Sequence, residues 1–395
     1  MYDVIVIGAG PAGMMASISA ATSNKKVLLI DKNDKVGKKM ALTGGSRCNV
    51  INLKSTKEFI NEIPVNNKML YSALNQFGPQ DIFDYFIKIG VPLKIEDNDR
   101  VFPISNKSKT IIDALESQLK INNVFINLNE VVDSIENCDT YKIVKTNKNT
   151  YKTEKIIIAT GGVSYPVTGS TGDGYKLAEK MNQTVTKLYP AETFLINKEP
   201  LPLAGITIDS VLITFNKSQA TGSMLFTHTG LSGPAIFKIS AEVYNELKTS
   251  KYATIGIDLI PNFTFDQLAI SLNDYNPKKE INSFVRDYLP KRLGDYIVNE
   301  TIPNLKVGIT SKVNKQKLLL ALKNFKVTIK STGTIEQSIV TGGGIDMKYI
   351  NFKTMESLTN NKIYFAGEVL DIHGHTGGYN ITIALSTGFV AGKLQ

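Results

Sequence analysis

The chain has 395 residues, 42% hydrophobic and 21% charged, and a net charge of +9. This balance excludes a disordered or fibrous chain and leaves room for roughly one to three domains. No apolar run reaches the roughly 18–20 residues of a membrane span. Two distant cysteines, Cys48 and Cys138, exclude a disulfide framework and a C-x-x-C reductase. With only three histidines, they also make no convincing zinc site, so no metal is expected.

The first residues already read as a strand, so no secretory leader is expected and the cytoplasm is the default location. Val4-Ile5-Val6-Ile7 runs directly into Gly8-Ala9-Gly10-Pro11-Ala12-Gly13, a helix is predicted over 14–21, and a second strand, 26–30, ends on Asp31. This is the dinucleotide-binding βαβ pattern in its required context. Gly8 allows the tight turn, Gly10 admits a pyrophosphate, and Gly13 lets the helix approach the sheet. The helix N-terminus offers N–H groups and partial positive charge to phosphates. Asp31 suits ribose hydroxyls and favours NAD or FAD over NADP.

Helical spacing follows over 55–90, short strands at 91–95 and 101–103, and a helix at 109–120. Strands are expected at 124–128, 131–135, 141–146 and 150–152. A buried strand then ends on Ala159-Thr160-Gly161-Gly162. After about Pro190 the pattern changes to short strands, then to a mostly helical stretch at 265–323. The sheet pattern returns at 362–368, ending on Phe365-Ala366-Gly367-Glu368, and a closing helix is predicted over 382–391. The expected fold is α/β: a discontinuous Rossmann-like FAD-binding domain (1–189 and 338–395), an inserted β-rich domain (190–262 and 325–337), and a basic helical subdomain (263–324). Between Lys278 and Lys330 stand twelve Lys/Arg against four acids, nearly the whole net charge. A solvated basic face is the ordinary reading, and a nucleic-acid surface the sharper, less favoured one.

Three separated segments point to bound FAD rather than a diffusing NAD: Gly8 to Asp31, the strand end at Ala159-Thr160-Gly161, and Gly367-Glu368. No second G-x-G-x-x-G marks a dedicated NAD(P)H domain. Gly37-Lys38-Lys39, Thr43-Gly44-Gly45-Ser46-Arg47-Cys48-Asn49, Thr171-Gly172-Asp173-Gly174-Tyr175, Thr341-Gly342-Gly343-Gly344 and Gly374-His375-Thr376-Gly377-Gly378-Tyr379-Asn380 occur in this order. So does the segment from Phe226 to Ala235, which contains His228. With these motifs the chain resembles the bacterial BaiN/RdsA-type NAD(P)/FAD-dependent oxidoreductases, also described as aminoacetone-oxidase-like flavoproteins, over nearly its whole length. Ser46 stands where that family usually has glycine, His373 where it usually has a small polar or acidic residue. Asn182-Gln183 and Ser223 also depart from the pattern.

The resemblance implies FAD, with NAD(P)H or oxygen as second redox partner, and a small organic substrate. It places Arg47 and Asn49 against the isoalloxazine ring and Gly377, Gly378, Tyr379 and Asn380 at its pyrimidine edge, with Ile381 among the cofactor contacts. Lys32, Gly37, Lys38, Lys39, Gly45, Cys48 and Val132 complete the expected cofactor contacts; Cys48 is expected to act by packing rather than reactivity. His375 and His373 are the acid/base candidates, because histidine titrates near neutrality. His228 is expected to be structural. Two other readings stay open: an RNA-associated flavoprotein using 278–330, and a flavin-binding regulator without turnover. The oligomeric state is not legible.

Overall fold

The computed structural model describes residues 1–138 and 140–393 and divides into two compact units, Met1–Tyr189 with Ile339–Gln395, and Pro190–Ser338. The first unit is built on a nine-stranded sheet. Its parallel centre runs, in spatial order, Ile363–Phe365, Thr150–Ile158, Tyr2–Ile7, Val27–Ile30 and Phe125–Asn127. Val6 pairs with Leu29 on one side and Ile157 on the other. All three are fully buried, which explains why these strands read as unbroken apolar runs. The chain leaves the first strand to one side and returns on its other side. That reversal opens a crevice at the carboxyl ends of Tyr2–Ile7 and Thr150–Ile158, where ligands bind in such sheets.

Two helices cover one another beside this crevice. Pro11–Thr22 and Tyr379–Lys393 approach so closely that a Cβ on Gly388 would lie 2.3 Å from the Ala12 carbonyl oxygen, and one on Gly392 2.4 Å from that of Ala16. A smaller antiparallel sheet of Ile51–Asn52, Arg100–Pro103 and Leu93–Glu96 belongs to the same unit.

The structure departs from the sequence reading in three places. The segments expected as separate strands at 150–152 and 155–159 are one strand, Thr150–Ile158. Its first half pairs antiparallel with Lys142–Thr146 and its second half parallel with the first strand, so the apolar pattern changes midway. The closing helix begins at Tyr379, three residues early, directly after the glycine pair. The helical stretch is not a third unit. Its helices, among them Phe265–Asn273, Lys291–Thr301 and Lys312–Lys323, bury Leu268, Leu293 and Leu318 in one core with Ile213 and Ile255 of a closed six-stranded antiparallel barrel. Among the described residues, no helix is long and apolar enough to cross a membrane, and no group of three or more His, Cys, Asp or Glu could hold a metal ion.

Candidate functional site

The crevice of the first unit is shaped by backbone that tolerates no side chain. Gly8 has φ +103°, and a Cβ there would lie 2.4 Å from the Ala159 carbonyl oxygen; one on Gly13 would lie 1.8 Å from that of Gly8. These contacts lock the first turn against the strand end at Ala159 and seat the helix on the turn. Gly10 differs: a Cβ there would meet nothing within 4 Å, so this residue faces open space. No side chain caps the helix at Gly10, and Pro11 occupies its first turn, leaving the remaining N-terminal N–H groups for a ligand.

Asp31 turns back onto this turn. Its Oδ2 accepts from the Ala9 N–H at 2.6 Å and its Oδ1 from the Asn33 N–H at 2.7 Å. Each oxygen keeps a lone pair, so a ribose can still be received. Gly37 donates its N–H to the Ala9 carbonyl, and Gly367 packs on Ala12, where a Cβ would lie 2.7 Å from the alanine methyl. The Thr160 hydroxyl is buried with no hydrogen-bond partner among the described residues. An open glycine, an uncapped helix start, an available acid and an orphaned buried hydroxyl, all just beyond the carboxyl ends of central strands, fit the adenosine diphosphate half of FAD.

Lys39 and Glu368 meet at 2.8 Å. The Lys39 ammonium also donates to the Ser164 hydroxyl (2.7 Å), and Glu368 Oε1 accepts from Ser164 and from the Thr341 N–H. Burial alone would raise the Glu368 carboxyl, but Lys39 and these donors outweigh it and hold the group ionised, below its ordinary range. The Thr341 hydroxyl accepts from the Val163 and Ser164 N–H groups. Thus Thr341 of the Thr341-Gly342-Gly343-Gly344 motif fixes the loop at 163–164 that follows the strand Thr150–Ile158, a role not assigned to it from the sequence.

The loop before the closing helix is held by asparagines. In its satisfied orientation, the Asn49 amide donates to Ile51 and Val101 carbonyls and accepts from the Gly378 N–H at 3.3 Å. Asn52, only 1% exposed, donates to the carbonyls of Asn98 and Gly377, each at 3.0 Å. Gly378 is at φ +97°, and a Cβ there would lie 2.5 Å from the Ile51 backbone. Asn380 accepts from the Gly374 N–H and donates to the Gly374 carbonyl. Its side chain therefore shapes the loop. Asn52 was missed because its partners lie far away in sequence.

Other expected contacts are placed differently from their assigned roles. Arg47 grips Glu96 through both terminal nitrogens (2.9 and 3.2 Å) and lies 4.0 Å over the Phe102 ring. The guanidinium is thus committed within the small sheet. The Tyr379 ring is buried against Phe59, 5.0 Å between centroids, so only its backbone is left for a cofactor. Lys32 pairs with Asp173 at 2.6 Å and also bonds Thr171, tying the second strand's end to the Thr171–Tyr175 motif. Lys38 pairs with Asp34 on the exposed surface. Cys48 is fully buried, and burial pushes its thiol up to about 12, so it packs rather than reacts. Ser46 holds φ +66°, a strained value for a residue with a side chain. Gly45 is at φ +65° beside it. Gly161 has Ser170 and Glu368 oxygens near its Cβ position. Val132 and Ile381 are buried. His228 is exposed in the second unit.

His373 is 3% exposed, with Nε2 3.1 Å from the Tyr189 hydroxyl. Burial and the neighbouring His375 push the ring down to about 4, Glu368 acting the other way. The ring is therefore held in its neutral form at pH 7.

Comparison with known proteins agrees with this geometry. Residues 2–394 match the family described as HI0933-like protein Rossmann domain. The ribosomal RNA dihydrouridine synthase of Escherichia coli (strain K12) is 31% identical over 402 residues, covering 99% of this chain and 97% of the relative. The 3-dehydro-bile acid delta(4,6)-reductase of Clostridium scindens is 27% identical over 407 residues, covering 100% and 98%. A 3-ketosteroid delta1-dehydrogenase structure from Sterolibacterium denitrificans superposes with a TM-score of 0.54 at 13% identity, covering 100% of this chain and 99% of that one, a likeness of fold. With its crevice, its glycine cradle and a match along nearly its whole length, the chain belongs to the HI0933-like family of FAD-dependent oxidoreductases.

Proposed function

We propose that this protein is an FAD-dependent reductase that adds hydrogen across a carbon–carbon double bond conjugated to a carbonyl, with a uridine of RNA as its substrate and NAD(P)H as donor. The observation that carries this reading is chemical. Two relatives matched along nearly the whole chain are named for adding hydrogen at such bonds, one forming dihydrouridine and one acting as a bile acid reductase. When bound, FAD would supply the two-electron redox chemistry, and a proton would complete reduction of the double bond. The chain's part is to hold the phosphates on the Gly8–Gly13 turn, to keep Glu368 ionised against Lys39, and to hold the glycine loop at 374–378 through Asn49, Asn52 and Asn380.

RNA is favoured over a small free substrate by the second unit. Lys278, Lys279, Lys291, Lys306, Lys312 and Lys317 are all exposed, and exposed cations in such number suit a phosphate backbone. Lys323 does not belong to it: its ammonium is held by Asp258 at 2.6 Å and by the Ile260 carbonyl.

The test uses FAD-loaded protein, NADH or NADPH, and ribosomal RNA lacking the modification, with nucleosides read by mass spectrometry. Dihydrouridine that depends on both donor and protein is the expected result. Flavin reduction by the donor with no change in any uridine would overturn the RNA substrate. A variant with Lys278, Lys279, Lys312 and Lys317 changed to Glu should keep donor-dependent flavin reduction and lose salt-sensitive RNA binding.

A further inference from the structure

The His373 ring poses a question that the cradle does not answer. Its Nε2 faces the Tyr189 hydroxyl at 3.1 Å, while its Nδ1 is buried and has no hydrogen-bond partner among the described residues. A buried polar atom left unpaired is costly, so native structures keep few, and each calls for an explanation such as a bound ligand.

The chemistry of the contact favours one of the two ring tautomers. Both groups are neutral near pH 7, since burial pushes the Tyr189 hydroxyl up to about 12 and the His373 ring down to about 4. A phenol is the stronger acid of the two and an imidazole nitrogen the stronger base. Tyr189 therefore donates its O–H to Nε2, and the ring's single proton sits on Nδ1. The orphan is a donor that lacks an acceptor. Tyr189 is held in place for this: a Cβ on Gly342 would lie 2.3 Å from its ring, so only glycine there leaves room for it. His373 follows the Gly367–Val369 turn, near enough to Glu368 and His375 for both to act on it electrostatically.

We propose that the Nδ1–H of His373 donates a hydrogen bond to a conjugated carbonyl oxygen of a ligand, and that Tyr189 is a positioning residue that fixes the ring's tautomer. The inference rests on the flavin-reductase reading, because both the cofactor's isoalloxazine and the proposed substrate present such a carbonyl. A neutral imidazole polarises a carbonyl and stabilises the negative charge that grows on its oxygen without giving up a proton.

Three histidines make the test tractable. Protein labelled with nitrogen-15 histidine is observed by long-range proton–nitrogen NMR, and the His373 ring is assigned by its loss in His373→Gln. Spectra are taken without FAD, with FAD, and with FAD plus uridine 5′-monophosphate. The expected result is an Nδ1–H tautomer in the wild type and a downfield shift of that proton on loading. A shift on adding FAD assigns the acceptor to the flavin; a shift only on adding the nucleotide assigns it to the substrate. An Nε2–H tautomer overturns the proposal, as does a resonance unmoved by both additions. Tyr189→Phe should give mixed tautomers while FAD absorbance is retained; a pure Nδ1–H ring there would remove Tyr189 from the account. Loading is read separately by flavin absorbance. Failure to take up FAD therefore overturns the cofactor reading, whereas a loaded protein with an unmoved resonance overturns this one.

Discussion

Two glycine turns of the first unit, one at each end of the chain, use backbone clamps and side-chain bonds in different proportion: Asp31 adds one side-chain bond to the first, and Gly378 against Ile51 adds one backbone clamp to the second. The turn at Gly8–Gly13 is held mainly by backbone: Gly8 against the Ala159 carbonyl, Gly13 against the Gly8 carbonyl. The turn at 374–378 is held mainly by side chains, with Asn49, Asn52 and Asn380 bonding its N–H and carbonyl groups. A turn clamped by backbone has no alternative conformation and is written in a few consecutive residues. A turn held by distant amides can be retuned one contact at a time.

The sharpest break of this comparison sets Gly13→Ala against Gly10→Val. The first puts a methyl 1.8 Å from a carbonyl oxygen and should cost about 3 kcal/mol or more, lowering the melting temperature and emptying the cofactor site together. The second meets only open space, so it should fold with an unchanged melting temperature and lose the yellow colour. Equal thermal losses in both would refute the distinction.

The next effect concerns His373. In the unfolded chain it protonates near 6.5, in the folded protein only near 4. As pH falls below 6.5 the unfolded state takes up a proton that the buried ring refuses. Stability is therefore lost between 6.5 and 4, by up to about 1.4 kcal/mol per pH unit. His373→Gln should flatten that slope in denaturant titrations at stepped pH, and an unaltered slope would count against the buried neutral ring.

Asn52→Ala probes the side-chain-held turn. It strands the Gly377 carbonyl and should cost about 2 kcal/mol, with FAD affinity falling while the Gly8–Gly13 turn stays intact. Loss of folding altogether would mean that the two turns are not separable. Ser46→Gly is the smallest change. It relieves φ +66° but frees the unfolded chain, for a net gain of about 1 kcal/mol or less, seen as a small rise in melting temperature.

The same contrast explains what was legible in the sequence. The strand Tyr2–Ile7, its glycine turn and Asp31 follow from local rules, because each contact lies within about one βαβ unit. Arg47 could be placed near the cradle but not onto Glu96 and Phe102, since the small sheet that brings them together leaves only weak local patterns. Lys39 and Glu368 lie 329 positions apart and Asn52 and Gly377 325, and no spacing rule reaches that far. Most of the second unit's strands were visible in part, though Gly230–Ser232 was not and Ser218–Phe226 only at its end; their closure into a barrel sharing its core with the basic helices depends on pairings such as Ala253 with Ile329. The proton on His373 depended on burial and on Tyr189, neither of which a motif encodes.

The central claim is that the crevice holds FAD and passes hydrogen to a conjugated double bond. The most direct measurement is the flavin spectrum of loaded protein under anaerobic conditions, first with NADPH or NADH and then with unmodified ribosomal RNA. The account predicts that the donor bleaches the flavin band and that the RNA restores it with formation of dihydrouridine. A protein that takes up no FAD, or a bleached one that the RNA leaves bleached, would contradict it.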